Sequence, residues 1–106
     1  MVTKRNKTIR EIKDLLKNIK KGGIDIRKAY LFGSHAQGKA HPWSDIDIAL
    51  VSDDFSGVRF KDVVKIISIL RRYNNFIEFH PFRQSDFNAR KDLFVKEIQN
   101  TGVRLI

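Results

Sequence analysis

Residues 8–21, TIREIKDLLKNIKK, place Ile9, Ile12, Leu15, Leu16 and Ile19 on one face of a helical period, with lysines and acids over the rest. Thr8 with Glu11 three residues on reads as a capping box, and Gly22 with Gly23 as a stop. From Ala29 to Phe32 the pattern becomes strand-like. A polar, glycine-bearing stretch follows. DIDIALV (45–51) then alternates before turning wholly apolar, which predicts a central strand covered on both faces. After the polar break SDDFSG, residues 58–73 predict a second helix with Phe60, Val63, Val64, Ile67 and Leu70 on one face, ended by Asn74 and Asn75. FIEFHPF (76–82) predicts a third strand, weakened after His80 by Pro81. Ser85 and Asp86 open a third helix on which Phe87, Phe94 and Ile98 line up. It closes between Asn100 and Gly102, and VRLI predicts a short edge strand. The order α-β-β-α-β-α-β describes a small α/β sandwich, helices packed against a mixed β-sheet.

The chain of 106 residues fits one domain, 1–106, without internal repeat or linker. Such a domain buries roughly 65% of its unfolded surface, enough for one core without staples. Without cysteine there are neither disulfides nor thiolate metal sites. No apolar run approaches the ~20 residues of a membrane span, and the N-terminus MVTKRNKTIREIK lacks the apolar core of a signal peptide. A soluble, cytoplasmic protein with no membrane partner is expected. The net charge of +9 suits a polyanion or an acidic protein surface, but the charges are spread along the chain and serve solubility equally. With no stacking pattern of aromatic and basic residues, direct nucleic-acid binding is not expected. His35, His41 and His80 fit no standard zinc spacing.

The chemistry concentrates in YLFGSHAQGKAHPWSDIDIAL, residues 30–50. Gly33-x4-Gly38-Lys39 approaches a P-loop, but Ala40 stands where a magnesium-binding hydroxyl belongs, and Pro42 follows where a helix should begin. Two readings remain on local grounds. One is a plain turn. The other is a phosphate-binding turn, in which Gly33 admits close approach, Ser34 offers a hydroxyl and successive N–H groups form an anion site. Downstream, Asp45 and Asp47 at i and i+2 share a strand face, their Cβ atoms roughly 6.5 Å apart. Two such carboxylates repel, and a divalent cation is the simplest compensation. Two Mg²⁺ ions ~3.5–4 Å apart fit between them, with water and substrate phosphate as further ligands.

"GS", ten residues and then "DID" resembles the signature of the DNA polymerase beta-like nucleotidyltransferases. The short chain with LFGSHAQG and SDIDIAL is similar to their minimal nucleotidyltransferase (MNT) branch, over nearly its whole length. The resemblance implies the nucleotidyltransferase (polymerase beta-like palm) fold. It implies that Gly33 and Ser34 hold a nucleoside triphosphate, with ATP as substrate, and that Asp45 and Asp47 bind two Mg²⁺. It also implies a third carboxylate on a neighbouring strand, as metal ligand, as base or as both. Glu78 is the only acid on FIEFHPF and takes that place, one methylene longer than the Asp of many relatives. His35 stands where many relatives carry Arg. Lys39 is the substitute cation, and Ser44, directly before the first aspartate, joins the nucleotide-binding positions.

The reaction implied is attack of an acceptor hydroxyl on the α-phosphate, releasing pyrophosphate. Larger relatives carry further domains for the acceptor, and this chain has none. MNT relatives act as antitoxins that adenylylate a HEPN-type ribonuclease toxin, which makes such a toxin the expected partner. The alternative is a non-enzymatic module that neutralises a partner by contact. Acceptor, donor base, number of groups transferred and self-association stay open.

Overall fold

The computed structural model describes residues 4–40, 44–70, 76–88 and 92–106. Strand β1 (Lys28–Phe32) pairs antiparallel with β2 (Ile46–Val51), and β2 pairs parallel with β3 (Ile77–Phe82). The two-residue β4 (Val103–Arg104) adds antiparallel to the free side of β1, giving the order β3-β2-β1-β4. The predicted mixed sheet is therefore present, with β2 in the interior.

Strand alternation sorts the apolar residues into two cores. Ala29, Ile48, Leu50, Ile77 and Phe79 face α1 (Lys4–Lys21) and α2 (Arg59–Ile69), where Ile12, Leu16, Ile19 and Ile66 meet them. Tyr30, Phe32, Ala49, Val51 and Phe82 face the other way. Phe87 from α3 (Gln84–Phe87) and Val95 and Ile98 from α4 (Leu93–Thr101) cover them. The parallel β2–β3 pair needs a crossover, and α2 supplies it. No helix among the described residues is long and apolar enough to cross a membrane.

Four expectations about the elements are corrected. Helix α1 begins a turn before the predicted start, so Thr8 lies buried inside the helix rather than capping it. The strand at Pro81 does not fade; it continues to Phe82, whose carbonyl accepts from the Ser52 N–H at 3.0 Å. An edge strand uses only alternate N–H groups toward its single neighbour, which is where a proline is tolerated. The third helix is two. Asp92 caps α4, accepting from the N–H groups of Phe94 and Val95, and α3 is a separate turn.

The fourth correction concerns α2. It ends at Ile69, and the expected stop at Asn74 and Asn75 lies outside the described residues. Its buried face carries Asp62 and Ile66, whereas Phe60, expected inside, is 77% exposed. Apolar residues occur nearly all round this helix, so periodicity alone does not fix its rotation. Asp62 does. Its Oδ1 accepts from the Ser56 N–H at 2.7 Å and the Ser56 hydroxyl at 2.9 Å, and its Oδ2 from the Gly57 N–H at 3.0 Å. A carboxylate buried to 3% exposure is held by these three donors. Asp62→Ala should cost about 2–3 kcal/mol in urea unfolding, since the donors lose a charged acceptor in a closed environment. Asp62→Asn, which keeps one carbonyl oxygen, should cost less.

Candidate active site

The turn after β1 begins at Gly33, whose φ is +76°, in the left-handed region that favours glycine. The N–H groups of Ala36 and Gln37 bond back to the Gly33 carbonyl at 3.1 and 3.2 Å, and Lys39 N–H to the Ser34 carbonyl at 3.0 Å. The turn is thus a short helical coil whose internal bonds start with Ala36. Among the described residues no backbone group accepts from the N–H groups of Ser34 and His35, which stand at its open end as at a helix N-terminus.

Cross-strand register brings this turn to the acids. Phe32, the last residue of β1, pairs with Asp47 on β2, so the chain leaves β1 directly beside that carboxylate. A Cβ placed on Gly33 would lie 2.6 Å from Asp47 Oδ2. Glycine is needed here twice, for the backbone angle and for the space. On the other side of β2, parallel register sets Asp47 beside Glu78. Glu78 and His80 share a face of β3, opposite the buried Ile77 and Phe79, as alternation predicts.

Asp47 and Asp45 are not equivalent. Asp47 lies on β2 with its side chain 24% exposed, and its Oδ1 meets His80 Nε2 at 3.2 Å. Asp45 precedes the strand, is exposed, and lines an open cleft with Arg59, Phe60, Val63, Ile77, Glu78 and Phe79. The expectation of two carboxylates within one strand face is corrected to one on the strand and one at its entry. The cause is the pairing with β3: β2 takes up its ladder at Ile46, whose N–H bonds the Phe76 carbonyl at 2.6 Å.

Of the other predicted residues, Ser34 and Ser44 are partly buried and Lys39 is exposed at the end of the turn. His35 is buried, and its Nε2 donates to the Ser44 carbonyl at 3.1 Å. It therefore braces the turn against the residue before Asp45. His41 lies outside the described residues. Two participants were given no role in the sequence reading. Arg59 donates from Nη2 to Glu78 Oε1 at 2.9 Å, and His80 Nε2 lies 3.9 Å from that same oxygen. Alternation places His80 on the face of Glu78, so that signal was readable. Arg59 is 19 residues away on a helix whose rotation was misjudged.

The donor set fits a divalent cation. One ligand atom each from Asp47, Glu78 and His80 lies within 4.8 Å of the others. Hard divalent ions take oxygen ligands at about 2.0–2.6 Å, and carboxylates from adjacent strands with a turn of open N–H groups beside them offer cation and anion sites side by side.

Residues 10–106 match the family model described as Polymerase beta, Nucleotidyltransferase. No curated protein matches the chain. Among solved structures, one from Sulfolobus solfataricus, assigned to the nucleotidyltransferases, superposes with a TM-score of 0.67 at 16% identity. It covers 94% of this chain and 80% of that one. A toxin–antitoxin with AMP-PNP gives a TM-score of 0.58 at 23% identity, covering 89% and 72%. The toxin–antitoxin MntA–HpeT, in a form with two Asp-to-Glu replacements, gives 0.52 at 23% identity, covering 88% and 70%. Together with the family match, these likenesses give the sheet and its helices the polymerase beta-like nucleotidyltransferase fold.

Proposed function

We propose that this chain, which belongs to the polymerase beta nucleotidyltransferase family, transfers AMP from ATP to a hydroxyl of a protein partner as the antitoxin of a HEPN/MNT-type pair. The observation that carries the reading is the convergence of Gly33, Asp47 and Glu78. A turn with open N–H groups meets the Asp47 carboxylate with no Cβ between them, and the adjacent strand sets a second carboxylate beside it. Two of the structures that share the fold are toxin–antitoxin complexes, one of them with AMP-PNP.

In this reading the N–H groups at the open end of the turn and the Ser34 hydroxyl hold the triphosphate. Ser44, whose carbonyl His35 ties to the turn, joins the nucleotide contacts, and Lys39 adds positive charge at the far end of the turn. Asp45, Asp47 and Glu78 hold two Mg²⁺, which when bound offset the charge on the reacting phosphate. In the same reading Glu78, besides holding metal, accepts the proton of the acceptor hydroxyl, the general-base role of a carboxylate. A basic chain of net charge +9 favours a partner with an acidic face. A tyrosine is a fitting acceptor, because its phenol ionises more readily than an alcohol. The AMP adduct would set a bulky anion where a ribonuclease must bind RNA phosphates. The setting is cytoplasmic.

Intact-mass spectrometry of a cognate HEPN-type toxin, after incubation with the chain, ATP and Mg²⁺, should show whole AMP increments. Full silencing of the toxin without any mass shift would instead establish neutralisation by contact alone.

A further inference from the structure

His80 is not accounted for by two carboxylates and a triphosphate turn. Its side chain is 11% exposed and packs edge-on against two aromatic rings that also touch each other, their centroids 5.6 Å apart. The Phe32 centroid lies 4.9 Å away at 65°, and the Phe94 centroid 5.8 Å away at 64°. Parallel register sets Ala49 beside it, and that methyl group leaves the imidazole room to lean toward Asp47. The result is a fixed Nε2, 3.2 Å from Asp47 Oδ1 and 3.9 Å from Glu78 Oε1. Donors bound to one cation at about 2.1 Å stand roughly 3–4.2 Å apart, from adjacent to opposite positions of its shell. Both separations fall in that range.

We propose that His80 Nε2 is a direct ligand of the cation held by Asp47 and Glu78, and that this nitrogen makes the position selective for a first-row transition ion over Mg²⁺. The proposal rests on the nucleotidyltransferase reading only in placing the ion at the reaction centre; the site itself stands on the three side chains. Mg²⁺ demands oxygen ligands and sheds water reluctantly. Imidazole bonds better to transition ions, and mixed carboxylate–imidazole sets favour them. Without an ion, the ring satisfies Asp47 by donating the Nε2 proton. With one, the Nδ1–H tautomer turns the Nε2 lone pair toward the cation, and the same rotamer serves both states. Arg59 shares Glu78 Oε1 but leaves its second lone pair free for the ion.

The test uses Mn²⁺ alone on the full chain, without nucleotide. Pulsed electron paramagnetic resonance should show a directly coordinated imidazole ¹⁴N, and the signal should vanish in His80→Gln. Calorimetry should show that this substitution weakens Mn²⁺ binding about 10-fold or more while moving Mg²⁺ binding little. Absence of ¹⁴N coupling in the wild-type chain overturns the proposal without reference to any variant, leaving His80 as a hydrogen-bond partner of Asp47. Coupling that persists in His80→Gln overturns it as well, by assigning the nitrogen elsewhere. A chain that binds Mn²⁺ through His80 but transfers no nucleotide keeps this inference and refutes the proposed activity. Transfer without ¹⁴N coupling does the reverse.

Discussion

Asp47→Asn should lower nucleotidyl transfer on the order of 10³-fold, the scale on which removal of a major electrostatic contact acts at a reacting centre, while leaving the fold intact. Asp47 is the point where the elements of the site meet. The turn passes over it at Gly33, Glu78 flanks it on β3, and His80 bonds it. The amide has the same shape but carries no charge, so it binds a divalent cation poorly. The stability side has opposing terms. The substitution relieves repulsion between Asp47 and Glu78 and weakens the contact with His80, both on partly exposed groups where such terms reach about 1 kcal/mol at most. Thermal melting should therefore shift by less than about 8 °C. Turnover that survives the substitution would remove Asp47 from the reaction. Loss of turnover together with a collapse in melting temperature would mean that the charge serves the fold instead.

Asp45 is a different case from Asp47, and the difference shows where sequence pattern stops informing. The i, i+2 spacing assigns both to one side of a strand, because alternation is a property of the backbone, but only Asp47 lies on β2. It could not say that the ladder begins at Ile46, since that depends on the carbonyl of Phe76, the residue before β3. The same division holds elsewhere. The sheet strands, their mixed pairing and the face shared by Glu78 and His80 follow from period and turn residues. The rotation of α2 does not, because its apolar positions nearly encircle it and the deciding contact is the buried Asp62 reaching back to Ser56 and Gly57. A buried carboxylate runs against composition rules, so a sequence reading assigns it to solvent. Arg59 was lost by the same route, since its reach to Glu78 depends on how α2 is turned. His35 has no role in the sequence pattern beyond standing where relatives carry Arg, and the fold gives its Nε2 to the Ser44 carbonyl.

Gly33→Ala and Gly38→Ala, at the two ends of one turn, should separate backbone strain from steric damage to the site. Both glycines have left-handed angles, φ +76° and +71°, so each alanine should cost about 1–2 kcal/mol of stability. Their surroundings differ. A Cβ at Gly38 meets nothing among the described residues within 4 Å, whereas one at Gly33 would lie 2.6 Å from Asp47 Oδ2. That contact is too short to persist. The atom it meets is the end of a side chain, so the carboxylate can swing aside at modest energetic cost. Swinging aside carries it out of register with Glu78 and away from His80. A displacement of about 1 Å at a reacting group lowers turnover by ~10²-fold. The expected pattern is two variants with similar losses in urea unfolding but different kinetics: Gly38→Ala close to the wild-type rate, and Gly33→Ala about 10²-fold slower with weakened Mn²⁺ binding. Equal rates in the two variants would show that the close approach of Gly33 to Asp47 has no catalytic consequence and that the glycine is kept for its backbone angle alone.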